Sequence, residues 1–179
     1  MILVVSGTNR AGGNTRKVAD RVLSAFREAQ ISAELLDLTE LPSELFAPDA
    51  YETKPAAFGR FARAVLESHG LLVVTPEYQG SLPGALKLFL DMLPAPEAFE
   101  GRPVGFVGLS AGGSGGVRPV EHLQQIFSHG RAHLYPERVF LPRVDALLGE
   151  DGRFRDARLE ERLRRQAKGF AEFVRRLRS

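Results

Sequence analysis

A chain of 179 residues with 44% apolar and 26% charged content has the size and balance of one soluble globular domain. No apolar run approaches the roughly 18 residues of a membrane span, and the apolar opening Ile2–Val5 is too short and lacks the charged lead-in of a secretory signal, so the expected location is cytoplasmic. A net charge of +2 gives no strong field for nucleic acid, and the absence of cysteine excludes disulfides, thiolate metal sites, iron–sulfur clusters and Cys nucleophiles.

Ile2–Val5 is an apolar run of buried-strand type. The turn-rich stretch Ser6–Gly13 follows, and Asn14 or Thr15 is placed to cap a helix running to about Gln30, with Val18, Val22, Leu23 and Phe26 on one face. Ser32–Leu38 alternates as a second strand. Residues 39–55 hold three prolines and no period, and so predict an irregular surface connection. Ala56–Ser68 has helical spacing at Phe58, Phe61, Val65 and Leu66. Leu71–Val74 is a third strand, stopped at Thr75-Pro76 because proline cannot donate to a ladder. After the polar loop Glu77–Leu82, Pro83 opens a helix. Pro103–Leu109 is the fourth strand, Ser110–Gly116 a glycine-rich loop, and Val120, Leu123, Ile126 and Phe127 mark the next helix. Ala132–Leu141 predicts a fifth strand, short because Pro136 interrupts it, and Leu159–Leu177 a closing amphipathic helix. The arginines of that last segment read as a solvated face, with Glu160–Arg164 and Glu161–Arg165 in the favourable i,i+4 order.

Strands and helices alternate, and right-handed crossovers then give a parallel sheet covered on both faces. Chemistry concentrates in the loops after strands one, three and four. In the first, glycines let backbone approach an anion, a helix N-terminus offers free N–H groups, Thr8, Asn14 and Thr15 add donors, and Arg10 adds a cation. Gly12 is followed by Gly13-Asn14 rather than Lys-Ser/Thr, and Asn9 stands where a dinucleotide fingerprint needs its second glycine. These departures favour a single terminal phosphate; a capped glycine turn is the structural alternative. In the loop after strand four, Gly108-Leu109-Ser110-Ala111-Gly112 satisfies the nucleophile elbow of hydrolases. That reading needs an acid and then a histidine from later strands. The last histidine is His133, and Asp145, Asp151 and Asp156 all come after it, while Glu121 lies too near Ser110. His129 and His133 are separated by Gly130 and make a poor metal pair.

Thr75–Lys87, TPEYQGSLPGALK, resembles the T-P-E-Y-N-x-S-x-P-G-x-L-K motif of the NADPH-dependent FMN reductases, departing at Gln79, where the family usually has Asn. A second departure is Met92, where a Trp is common. Gly7-Thr8-Asn9-Arg10 is similar to the G-S-x-R of the same family, and Gly13-Asn14-Thr15 to the G-N-T of flavodoxins. The resemblance implies a flavodoxin-like three-layer sandwich with a five-stranded parallel sheet in the order 2-1-3-4-5, and a ligand site at the switch between strands one and three. It implies an oxidoreductase in which NADPH or NADH reduces bound FMN and a small acceptor (quinone, azo dye, free flavin or metal oxyanion) then takes the electrons in the same place. The phosphate would lie at Thr8, Asn9, Arg10, Gly13, Asn14 and Thr15, the ring flank at Pro76, Glu77, Tyr78 and Gln79, and the ring edge at Ser110, Ala111, Gly112 and Gly113. Tyr78 would wall the substrate pocket, Glu77 would act through its backbone, and Arg10 or Arg16 would meet the NADPH 2′-phosphate. No side-chain acid or base is required. The alternatives are an electron-carrying flavodoxin, typically acidic where this chain is weakly basic, and a flavin-free binding domain. In the helix after Pro83, Leu82, Ala85, Leu86, Phe89 and Leu93 form one stripe and Leu88, Leu90 and Met92 are left over. That surplus, with the resemblance, predicts a homodimer or homotetramer.

Overall fold

Ile2–Ser6, every residue buried, forms β1 at the centre of a parallel sheet. The computed structural model describes residues 1–178. After β1 come α1 (Asn14–Glu28), β2 (Ala33–Asp37), α2 (Gly59–Glu67), β3 (Gly70–Pro76), α3 (Gly84–Met92), β4 (Pro103–Leu109), α4 (Val117–His129), β5 (His133–Leu134), β6 (Val139–Leu141), α5 (Val144–Leu147) and α6 (Ala157–Arg178). The strand order is β2-β1-β3-β4-β5, with β6 also paired to β4. All pairings are parallel, which puts every strand's C-terminal end on one edge.

Alternation along the strands divides the core. Leu3, Val5, Leu71, Val73 and Phe106 face α2, α3 and α4, packing on Phe61, Val65, Leu86, Phe89, Val120, Leu123 and Phe127. Ile2, Val4, Leu72, Val74 and Val107 face α1 and α6, packing on Val18, Val22, Phe26, Leu163 and Phe170. β3 and β4 are buried along their whole length, as strands covered on both faces must be.

Three expectations are corrected. The fifth strand is two short pieces, β5 and β6, because Pro136 lies in the break and offers no ladder donor. Gln166 of α6 fills that break, its Nε2 donating to Phe106 O at 2.9 Å and Glu137 O at 3.2 Å. The connection 39–55 is a series of 3-10 turns whose Leu45 and Ala50 are buried in the α2–α3 core. Leu90 and Met92 are buried in that same cluster, 3% and 0% exposed, and Leu88 packs against it half-buried, so most of the apolar surplus of α3 is covered inside one chain.

The arginines of α6 also pair differently from expectation. Arg21 of α1 reaches Glu160 with two bonds, 3.0 and 3.1 Å, and Arg164 reaches Glu28 at 2.6 Å and Glu161 at 3.2 Å. Arg165 goes to Glu137. Packing of α1 on α6 brings partners from outside the helix within reach, and they displace the Glu160–Arg164 and Glu161–Arg165 pairs. No helix among the described residues is long and apolar enough to cross a membrane.

Candidate functional site

The first loop leaves β1 with Gly7 N donating to Val74 O at 2.8 Å, which presses it against β3. A side chain at Gly7 would put its Cβ 2.7 Å from that carbonyl. Contrary to expectation, neither Asn14 nor Thr15 caps α1. The cap is Gly13, which offers no side-chain acceptor, and the first turn carries no acid. The opening N–H groups of α1 therefore lack acceptors and project their partial positive charge outward. Thr15 is 3% exposed, and its hydroxyl has no partner among the described residues. Asn14 is held by Asp145, Nδ2 to Oδ1 at 2.7 Å. Thr8 is buried; its Oγ1 accepts Arg10 N at 3.2 Å and meets Tyr78 OH at 3.0 Å. Arg16 is committed to Asp20 and Asp37, whereas the exposed Arg10 side chain has no partner among the described residues.

In the second loop Tyr78 and Ser81 exchange backbone bonds of 2.9 and 3.0 Å across a two-residue turn. Its central residues, Gln79 and Gly80, sit at φ 50° and 74°. This is the left-handed region in which Asn is favoured over Gln, so the family's Asn at this position has a backbone reason. The turn occupies the Tyr78 amide, and Glu77 N is occupied by Leu109 O at 2.9 Å. Glu77 therefore has no free amide to offer a ligand. Its carboxylate, only 10% exposed, accepts Ser114 Oγ at 2.5 Å and Arg118 Nη1 at 2.7 Å. Burial pushes the Glu77 carboxyl up, but the bonds from Ser114 and Arg118 outweigh it and leave the group below its ordinary value.

The third loop is braced from behind. Ser110 N donates to Leu141 O, Arg143 N to Gly112 O and Val144 N to Ser110 O. Ser110 Oγ donates to Gly112 O, accepts Gly115 N at 2.8 Å and lies 3.1 Å from Ser114 Oγ. No histidine is among its partners, so the nucleophile-elbow reading fails on geometry. A Cβ on Gly116, at φ 82°, would lie 2.4 Å from Leu109 N; only glycine lets α4 start this close to β4. The amides of Ala111, Gly112 and Gly113 have no acceptor among the described residues.

Together these loops enclose a cavity of about 300 Å³ at the C-terminal edge of the sheet. Of the residues the sequence singles out, Arg10, Gly13, Asn14, Thr15, Pro76, Glu77, Tyr78, Ser110 and Ala111 line it. Thr8, Asn9, Gln79, Gly112 and Gly113 lie on the same loops without lining it. Gly12, Leu109, Val144 and Asp145 line it and were not foreseen. Val144 and Asp145 belong to α5, a single turn too short for a periodic signal. Larger hollows of about 540 and 560 Å³ lie elsewhere, but neither gathers a free helix terminus and free loop amides. An open helix N-terminus with a partnerless hydroxyl on the cavity lining suits a phosphate. The free amide of Ala111 on the lining, with those of Gly112 and Gly113 next to it in the loop, suits the acceptor atoms of a planar polar edge.

The model of the NADPH-dependent FMN reductases matches residues 1–145, a span that contains all three loops. The chain belongs to the NADPH-dependent FMN reductase family. An NAD(P)H-dependent FMN reductase of Pseudomonas aeruginosa is 30% identical over 99% of this chain and 96% of its own. An NADPH azoreductase of a Bacillus species is 31% identical over 85% and 84%. Among solved structures, FerB, a flavoenzyme NAD(P)H:(acceptor) oxidoreductase from Paracoccus denitrificans, superposes with a TM-score of 0.80 at 22% identity, covering 98% of this chain and 97% of that one. A flavodoxin from Streptococcus pneumoniae shares the fold at a TM-score of 0.59. As an FMN reductase the chain is an oxidoreductase using FMN and NAD(P)H, and the donors around its cavity fit FMN at both ends.

Proposed function

We propose that the three loops at the sheet edge hold FMN, that the chain oxidises NAD(P)H there, and that a small acceptor of quinone or azo type takes the electrons. The observation that carries the reading is the uncapped start of α1 beside the Thr15 hydroxyl, which lines the cavity with no partner among the described residues. FMN, when bound, supplies the electron-accepting and electron-donating chemistry. The protein's own share is to bind and orient it. Thr15, Asn14, Arg10 and the amides of residues 13–16 take the phosphate, and Pro76–Gln79 flank the ring. Ala111, Gly112 and Gly113 donate to the ring edge, where preorganised amides stabilise the charge that accumulates on reduction. Tyr78 is held by Thr8, half-exposed at the cavity wall, and lies where a substrate enters. With Arg16 spent on two aspartates, the FMN phosphate and the 2′-phosphate of NADPH compete for Arg10, the cation on the cavity lining.

The reading extends to one domain, a cytoplasmic location and a homodimer, for which two outward aromatics on the 39–55 connection speak. Thr15→Val keeps shape and removes the hydroxyl. The expected result is weaker FMN binding by about 1–3 kcal/mol, the value of a hydrogen bond to a charged acceptor. Unchanged affinity in a fluorescence titration would remove Thr15 from the site. Steady-state oxidation of NADPH and NADH, each against quinone, azo dye and free FMN, ranks the acceptors. Protein that holds FMN yet oxidises neither nicotinamide with any of them would be an electron carrier instead.

A further inference from the structure

Glu77 bridges the two loops assigned to the ring. Its backbone N–H is tied to Leu109 at the end of β4, and its carboxylate to Ser114, whose oxygen in turn lies 3.1 Å from Ser110 Oγ. On the outer side Arg118 of α4 closes the chain at 2.7 Å. The two charges are unequally placed. Glu77 lines the cavity with its side chain 10% exposed, whereas Arg118 stands 62% exposed on the rim. Among the described residues, the only other acid lining the cavity is Asp145, held at the phosphate loop by Asn14, and the only cation lining it is Arg10 on that same loop. The ring side of the cavity therefore carries one poorly solvated negative charge, neutralised from outside by one well-solvated positive charge. Coulomb effects are strong where solvent is excluded and weak where it is not. Reduction of FMN adds negative charge to the site, so a fixed carboxylate there opposes reduction and a fixed guanidinium favours it.

We propose that the Glu77–Arg118 pair sets the reduction potential of the FMN held in this cavity, Glu77 lowering it and Arg118 partly restoring it. Glu77 is then a positioning and tuning residue, acting through charge, and this rests on the FMN reading above. The test is a dye-coupled redox titration of FMN-loaded wild type, E77Q, R118Q and S114A. E77Q keeps the bond-forming shape and loses the charge. It shifts the equilibrium at least tenfold toward reduced FMN, about 30 mV positive for a two-electron couple. R118Q leaves Glu77 unneutralised and shifts the potential the other way, by less because Arg118 is exposed. S114A removes a tether while keeping both charges and leaves the potential near wild type. Loosening of the loops would move all three variants in one direction, so any pattern other than opposite signs for E77Q and R118Q overturns the proposal. Should E77Q not retain FMN, a lowered potential in R118Q with none in S114A sustains it, and any other result for that pair refutes it. Wild type that takes up no FMN would instead sink the FMN reading, a distinct failure.

Discussion

Gln79 shows how one residue can be informative through its backbone alone. It sits at φ 50° in a two-residue turn, its side chain is exposed, and it does not line the cavity. Left-handed geometry costs an ordinary residue about 1–2 kcal/mol, and Asn less. Gln79→Asn is expected to stabilise the fold by about 0.5–1 kcal/mol on that ground, read as a higher denaturant midpoint. FMN affinity should stay within roughly twofold, since no side-chain hydrogen bond is at stake. A several-fold change in affinity would mean that the side chain touches the cofactor. Motif residues told the reader that this loop mattered, and the geometry tells why the position tolerates Gln. Arg102 makes the complementary point. Its guanidinium donates to the carbonyls of Val65, Ser68, Glu97 and Ala98, and to Ser68 Oγ, with no carboxylate partner among the described residues. Burial pushes its pKa down. It binds the end of α2 to the turn before β4, a role that no motif in the sequence announces.

Among the elements, the strands and long helices were legible because period and burial coincide: β1, β3 and β4 are continuous apolar runs, and α1 shows one apolar stripe. The break between β5 and β6 was legible only in part. Pro136 forecast an interruption, but nothing local marks Gln166, thirty residues on, as its remedy. Gln166 is 1% exposed, and its Nε2 supplies donors to two carbonyls that the broken ladder leaves open, while its own Oε1 is unpaired. Gln166→Met preserves volume, strands Phe106 O and Glu137 O, and removes the orphan oxygen. The two carbonyls outweigh the one oxygen, so a net loss of about 1–2 kcal/mol is expected in chemical denaturation. Equal stability of the two proteins would show that water already serves those carbonyls. The ends of α1 and α6 were misread for a related reason. Capping and i,i+4 rules describe an isolated helix, whereas here a cavity-facing terminus is left uncapped and a neighbouring helix captures charges of α6.

For the whole molecule, the alternation of elements gave a parallel sheet whose crossovers send all three loops to one edge, where the cavity lies, and the family resemblance gave the strand order. Assembly did not follow in the same way. The argument from α3 loses most of its weight, since Leu90 and Met92 are covered within the chain and only Leu88 stays half-buried, the connection 39–55 supplying part of the cover. That connection nevertheless raises the question again in another place. Leu45 and Ala50 point into the core, 1% and 2% exposed, while their chain neighbours Phe46 and Tyr51 stand 63% and 59% exposed. Two large aromatics held outward on structured turns are the kind of residue that anchors an interface. If a second copy covers them, light scattering at micromolar concentration gives twice the 19.7 kDa of one chain. The double variant Phe46→Glu, Tyr51→Glu then falls to the single-chain mass while keeping its fold by circular dichroism, because neither side chain contributes to the core. A wild-type mass near 19.7 kDa removes the dimer altogether. A dimer that survives the double variant removes these two aromatics from its interface.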